Sequence, residues 1–317
     1  MTLLLSRRDV AALMDMGAWL EAAEAGFRAL GEGRAQAPPP MAIQGWDGSF
    51  HAKGASLALG RRYVALKLNG NFPANPERRG LPTIQGAILL CDGESGALLA
   101  IIDSIEVTLR RTAAATALAA RFLARADSAT ILVCGCGAQG AAQLEALRAV
   151  LPLRRAFAWD RDEARAQAFA RSHGLEAVAD LRACDVIVAC TTARSPYLGP
   201  GAVRPGSFVA AVGADSPDKS EVEPELMRNA LVVADVLAQC AAMGDLRHAL
   251  AAGAMRREDV HAELHELVAG TKAGRTSEDQ VTLFDSTGTA VQDVAAAALI
   301  YERACRSAGF AAVDLAA

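Results

Sequence analysis

The chain has 317 residues, 52% of them hydrophobic and 21% charged, with a formal net charge of -4. That length suits about two domains, because single cores stop growing at roughly 250–300 residues, and the composition excludes a disordered or fibrous chain. With an acidic balance and arginines scattered rather than striped, nucleic acid is not an expected partner.

The apolar run Leu3-Leu-Leu5 is followed at once by Ser6, Arg7 and Arg8, too short for an export signal or a membrane span. A cytoplasmic protein with no membrane contact is expected. The 7 cysteines are an odd number, widely spread and mostly set in apolar runs, as buried thiols are in a reducing compartment.

In chain order, a short strand over 3–5 leads to Ser6 with Asp9 three residues on, a capping box that opens a helix. A second helix carries Trp19, Leu20, Ala23, Phe27 and Leu30 at helical spacing and stops at Gly31 and Gly33. After the rigid stretch 37–40, strands are expected over 48–52, 61–68, 84–91 and 98–103, the last two joined as a hairpin by the turn residues 92–96. Residues 1–125 therefore read as a mostly antiparallel α+β domain ending in an alanine-rich helix over about 111–125. From Ala129 apolar runs alternate with helices, the grammar of a parallel sheet with crossover helices, giving an α/β domain over 126–289. Its expected strands are 130–134, 155–159, 186–190, 208–212 and 231–234. A last helix, about 290–307, carries Val291, Val294, Ala298, Tyr301 and Cys305 on one face and could close either domain.

The strongest local signal is Ile131-Leu-Val-Cys-Gly135-Cys-Gly137-Ala138-Gln139-Gly140, a strand running into GxGxxG and a helix. Gly135 permits the tight turn, Gly137 admits the backbone to a pyrophosphate, and Gly140 lets the helix pack closely with its positive end toward the negative charge. The next apolar run ends at Asp160, near the ~20-residue spacing expected for a carboxylate on the adenosine ribose. NAD is the expected cofactor. Arg161 beside it keeps NADP as the alternative, since an arginine there can accept a 2′-phosphate.

A second constellation is Lys53, Lys67, Arg111 and Asp215. A small anionic substrate needs fixed cations for its carboxylate and a titratable group near the reacting nitrogen, and these residues supply both. Lys67 interrupts the run Val64-Ala-Leu-Lys-Leu68, where either an inward lysine or a solvated face fits. Asp215 follows an apolar run through Gly213 and so belongs at a strand's carboxyl end, where open α/β sheets bind ligands.

Several stretches resemble the ornithine cyclodeaminase and mu-crystallin family: Gly80-Leu-Pro-Thr-Ile-Gln-Gly86, Arg111-Thr-Ala-Ala114, Gly135-Cys-Gly-Ala-Gln139, Val212-Gly-Ala-Asp-Ser-Pro217 with Lys219 and Glu221, and Phe284-Asp-Ser-Thr-Gly288. The resemblance covers about residues 40–305. It implies a Rossmann-type dinucleotide domain, and a homodimer whose first domain carries the substrate and dimer surfaces, with the last helix returning to that domain. It also implies roles: Lys67 and Arg111 on the substrate carboxylate, Asp215 as acid or base at the substrate nitrogen, and Thr112, Gln139, Thr191, Ser286, Thr287 and Gly288 along the cofactor. The implied activity is NAD(P)-dependent hydride transfer at the nitrogen-bearing carbon of a small L-amino acid or cyclic imine, of the ornithine-to-proline type. A ketimine or Δ1-pyrroline-2-carboxylate reductase, an alanine-type dehydrogenase and a non-catalytic NADPH-binding protein are the alternatives. One departure concerns the substrate end: where many relatives carry an arginine shortly after the proline stretch, Met41 follows Pro40. Lys53 then either replaces that cation or is a surface lysine on an edge strand.

Three features carry less. His261 and His265 stand i, i+4 as in half a zinc site, but the order is not HExxH and no metal is expected. Cys134 and Cys136 are too close for a CxxC loop. Ser216 and Ser286 lack a nucleophile-elbow setting.

Overall fold

The computed structural model describes residues 1–315 and divides into two compact units, Met1–Arg111 with the residues from Thr289 on, and Thr112–Gly288. In the first unit β1 (Thr2–Leu5) leads into α1 (Arg7–Leu13), opened by the reciprocal box in which Asp9 accepts from the Ser6 N–H at 2.8 Å. Helix α2 (Met16–Gly31) is capped by Asp15 and buries Trp19, Leu20, Ala23 and Phe27. There follow β2 (Ala35–Gln36), β3 (Met41–Gln44), β4 (Ser49–Leu59), β5 (Arg61–Asn71), α3 (Asn75–Arg79), β6 (Ile84–Asp92), β7 (Leu98–Asp103) and α4 (Ser104–Leu123). Strands β4 and β5 run longer than expected, paired in register from Ser49↔Asn71 to Leu59↔Arg61. Gly60 turns between them at φ +76°, a conformation that costs a side-chain-bearing residue.

Helix α4 begins well before Arg111, so Arg111 lies inside the helix rather than opening it. The Asp103 carboxylate accepts from the Glu106 N–H at 2.8 Å and satisfies a first-turn donor. The division between the units falls within α4, after Arg111, rather than near residue 125.

The second unit runs β8 (Thr130–Cys134), α5 (Ala138–Arg148), β9 (Arg155–Trp159), α6 (Glu163–His173), β10 (Glu176–Ala177), β11 (Val186–Ala189), β12 (Phe208–Ala211), α7 (Pro224–Arg228), β13 (Leu231–Ala234), α8 (Leu237–Met243), α9 (Asp245–Ala251), β14 (Ala262–Glu263), α10 (Leu264–Val268) and β15 (Thr282–Asp285). The strands form one wholly parallel sheet in the order β10-β9-β8-β11-β12-β15-β13-β14. This is a Rossmann-type α/β unit. Strand β15 lies outside the expected set because it follows a polar stretch, yet it sits between β12 and β13. His261 lies before β14 and His265 in α10, so the pair does not share a helical face.

The chain then returns to the first unit as α11 (Ala290–Cys305) and β16 (Ala311–Val313). Helix α11 packs on α2 and on β4, β5 and β6. Its N-terminal half is buried on all sides, more than the single apolar face expected. The first sheet has the order β16-β1-β7-β6-β5-β4-β2, with β3 also on β4. Its inner face holds Tyr63, Ala65, Lys67, Ile88, Leu90 and Ile102, all buried. Its outer face is also apolar: Leu4, Ile101, Leu89 and Leu66 are successive cross-strand neighbours, and Val64 and Leu68 flank Leu66. Leu66 is 47% exposed and Leu68 44%. No helix of the described residues is long and apolar enough to cross a membrane.

Candidate active site

In the first unit the period-2 pleat of β5 sends Val64, Leu66 and Leu68 outward and Lys67 inward, to 4% exposure. Lys67 Nζ meets Asp293 Oδ2 at 2.7 Å, and Arg111 Nε meets Asp293 Oδ1 at 3.1 Å. Arg111 Nη1 also donates to Gln292 Oε1 at 2.6 Å. Lys53 stands directly across the strand pair from Lys67. It is half-buried and lies on β4, which is flanked by β5 on one side and by β2 and β3 on the other, so the edge-strand reading does not hold. The structure therefore brings Lys53, Lys67 and Arg111 together and adds Asp293, which sequence reasoning passed over.

Burial pushes the Lys67 ammonium down to about 7; Asp293 opposes the shift, and Arg111 and Lys53 reinforce it. Burial works to raise the Asp293 carboxyl, but Lys67 and Arg111 outweigh it and hold the group below its usual range. Two buried cations share one buried anion, and isolated charge in such a place is costly.

In the second unit β8 ends in the glycine turn. Gly135 adopts φ +106°, and a Cβ there would come within 2.7 Å of the Cys190 carbonyl oxygen. A Cβ at Gly140 would lie 2.3 Å from the Gly135 carbonyl oxygen, which accounts for the third glycine. Gly137 differs: it is exposed, nothing lies within 4 Å of a Cβ there, and it caps α5 without any side-chain bond to the helix amides. The open N-terminus of α5, with Ala138 exposed at its start, presents backbone donors of the kind that suit a pyrophosphate. Gln139 has its Nε2 buried without a hydrogen-bond partner, an orphan donor at the same turn. Asp160, just past β9, accepts from the Cys136 N–H at 2.9 Å and the Asp162 N–H at 3.0 Å, which holds its carboxylate beside the turn; Arg161 is exposed. These residues fit a dinucleotide.

Further along the strand ends, the Thr191 hydroxyl and N–H are held by Glu221. Ser286 donates to Asp235 at 3.0 Å, and Gln239 donates to Thr287 Oγ1 at 2.6 Å and to the Gly288 carbonyl at 2.8 Å. Asp215 lies in the loop after β12, its side chain 56% exposed and paired with Lys219 Nζ at 2.6 Å. That loop is tied to α9: Arg247 donates to the Pro217 carbonyl at 2.8 Å, and His248 Nε2 to the Lys219 carbonyl at 2.8 Å. Thr112 follows Arg111 in α4, and its carbonyl accepts from Thr116 Oγ1. Cys134 and Cys136 are both buried, and burial raises both thiols.

A sequence profile described as the ornithine cyclodeaminase/mu-crystallin family matches residues 1–308. The chain belongs to that family. Within it, the chain is 37% identical over 310 residues to an alanine dehydrogenase of Archaeoglobus fulgidus, covering 96% of this chain and 95% of that one. Among solved structures, an archaeal alanine dehydrogenase dimer with bound NAD superposes with a TM-score of 0.94 at 36% identity, covering 99% of each chain. The Δ1-pyrroline-2-carboxylate reductase of Thermococcus litoralis, in complex with NADH and L-proline, gives a TM-score of 0.93 at 31% identity, covering 98% of this chain and 100% of that one.

Proposed function

We propose that the protein is an NAD-dependent oxidoreductase acting at the nitrogen-bearing carbon of a small L-amino acid or the matching cyclic imine. The observation that carries this reading is the buried Lys67–Asp293–Arg111 cluster, whose excess cation calls for a small carboxylate. The relatives named above act on substrates of that kind, alanine in one case and a cyclic imino acid in the other. Arg111 and Lys67 hold the carboxylate, and Lys53 adds positive potential beside them. Gly135, Gly137, Ala138, Gln139 and Gly140 receive the pyrophosphate, and Asp160 takes the adenosine ribose, which disfavours a 2′-phosphate. Thr112, Thr191, Ser286, Thr287 and Gly288 line the rest of the dinucleotide, which when bound exchanges the hydride.

Asp215 moves the proton at the substrate nitrogen. It stands at a strand's carboxyl end, is half-exposed and pairs with Lys219. Residues 1–111 with the last helix serve as the substrate and dimerisation domain and residues 112–288 as the cofactor domain. The apolar outer stripe of the first sheet, Leu4, Ile101, Leu89 and Leu66, is the surface we assign to a second copy. A ring-closing lyase reaction on ornithine or lysine uses the same hydride step but returns the hydride to the cyclised imine, so ammonia is released with no net change in the nicotinamide.

The test is a panel of alanine, proline, Δ1-pyrroline-2-carboxylate, ornithine and lysine with NAD(H) and NADP(H), read as nicotinamide absorbance, ammonia and product identity. Turnover is expected with NAD(H) on a monocarboxylate, and Asp215→Asn should lower it by about 10²- to 10⁴-fold while dinucleotide affinity is kept. Near-normal turnover in that variant places the proton carrier elsewhere.

A further inference from the structure

Glu221 is fully buried in the second unit, yet the roles assigned above leave it without a task. Its Oε1 accepts from the Thr191 N–H at 2.6 Å, the Thr191 hydroxyl at 2.7 Å and the Tyr197 hydroxyl at 3.1 Å. Its Oε2 accepts from the Gly213 N–H at 2.8 Å. One carboxylate thus ties the residues just past β11 to those just past β12. A Cβ at Gly213 would come within 2.4 Å of both Glu221 Oε2 and the Thr191 carbonyl oxygen, so only glycine permits the approach. Tyr197 in turn stacks on Trp159, with ring centroids 5.0 Å apart, and Trp159 is the last residue of β9, directly before Asp160.

We propose that Glu221 is a positioning residue for dinucleotide binding, holding the strand ends at Thr191 and Gly213 in the arrangement the cofactor requires. The inference rests on the dinucleotide reading of this unit. Around the carboxylate stand Asp245 of α9, Tyr197, and the thiols of Cys134 at the end of β8 and Cys190 just past β11. None of these is a cation, and the anion is held by hydrogen-bond donors alone. Burial, and then Asp245, push the Glu221 carboxyl up to about 7, against the bonds from Thr191 and Gly213. Once protonated, Oε2 presents a donor to the Gly213 N–H, and that tie is lost. Above about pH 7 the carboxylate accepts all four bonds; below it the loop that carries Asp215 loosens.

NADH binding without substrate, followed by nicotinamide and Trp159 fluorescence between pH 6 and 9, separates this role from a merely structural one. The wild type should bind about tenfold more weakly at pH 6 than at pH 8.5, with a midpoint near 7. Glu221→Gln places an amide donor opposite Gly213 at every pH, so it should bind at the weak level throughout and lose the slope. Tyr197→Phe removes a single donor and keeps the carboxylate, so it should keep the slope; thermal melts confirm that both variants are folded. A flat wild-type profile, or a Gln variant that retains the slope, overturns the proposal and leaves the dinucleotide reading intact. Failure of the wild type to bind NADH at any pH overturns both.

Discussion

Replacing Asp293 by asparagine tests the buried cluster most directly. Asp293 is 2% exposed, and its two oxygens meet Lys67 at 2.7 Å and Arg111 at 3.1 Å. Asparagine can still accept from Arg111, but its amide faces the Lys67 ammonium, donor against donor. Removing one partner of a buried ion pair costs about 3–5 kcal/mol, which for a chain of this size lowers the melting temperature by roughly 10 °C. The pH dependence gives the sharper signature. Lys67 in the folded protein already lies at about 7, below its ordinary 10.5, chiefly through burial, and Asp293 is the main force holding it up. A lysine depressed in the fold binds fewer protons there than in the unfolded chain, so its penalty is fully present below the folded pKa and relieved as pH rises toward 10.5. In Asp293→Asn the folded pKa falls further and the penalty window extends to lower pH. The deficit against wild type should therefore be larger at pH 6 than at pH 9. Calorimetric melts at the two pH values read this out, and a melting temperature within about 2 °C of wild type at pH 6 refutes the electrostatic account of the cluster.

Three further outcomes follow from the same geometry. Gly137→Val should leave the melting temperature nearly unchanged, because nothing lies within 4 Å of a Cβ at this position, and should abolish NADH binding; retained affinity in a fluorescence titration excludes the turn as the pyrophosphate site. The KM of a carboxylate substrate should rise as pH increases through about 7, because Lys67 loses its proton there, and a KM flat from pH 6 to 9 removes Lys67 from the clamp. Leu66→Glu, on the outer face of β5, should turn a dimer into a folded monomer by light scattering, and an unchanged mass would place the dimer surface elsewhere.

The parallel sheet was legible because each of its longer strands is an apolar run flanked by a helix, and the glycine turn because its three glycines meet three separate steric demands. The orientation of Lys67 was not. Val64, Leu66 and Leu68 look like core residues, and in a strand with two apolar faces the alternation cannot say which face is inside. Asp293 escaped notice because an acidic residue in the first turn of a helix reads as a partner for the helix dipole. Its real surroundings come from β5 and α4, far away in sequence. Glu221 could be quoted as part of a motif, but its four donors converge from segments that only the sheet order brings together.

The split composition of the first unit bears on how the chain is made. The second unit is one continuous stretch, Thr112–Gly288, and can condense as soon as it has been synthesised. The first unit cannot, although most of it emerges earlier: its sheet leaves an apolar face and two inward cations uncovered until α11 brings Asp293, Val291 and Val294 to them. A segment translated after the central unit thus both neutralises and closes the part translated before it. On the ribosome the N-terminal unit should remain protease-sensitive after the central one has become resistant, and that order is the reverse of their positions in the chain.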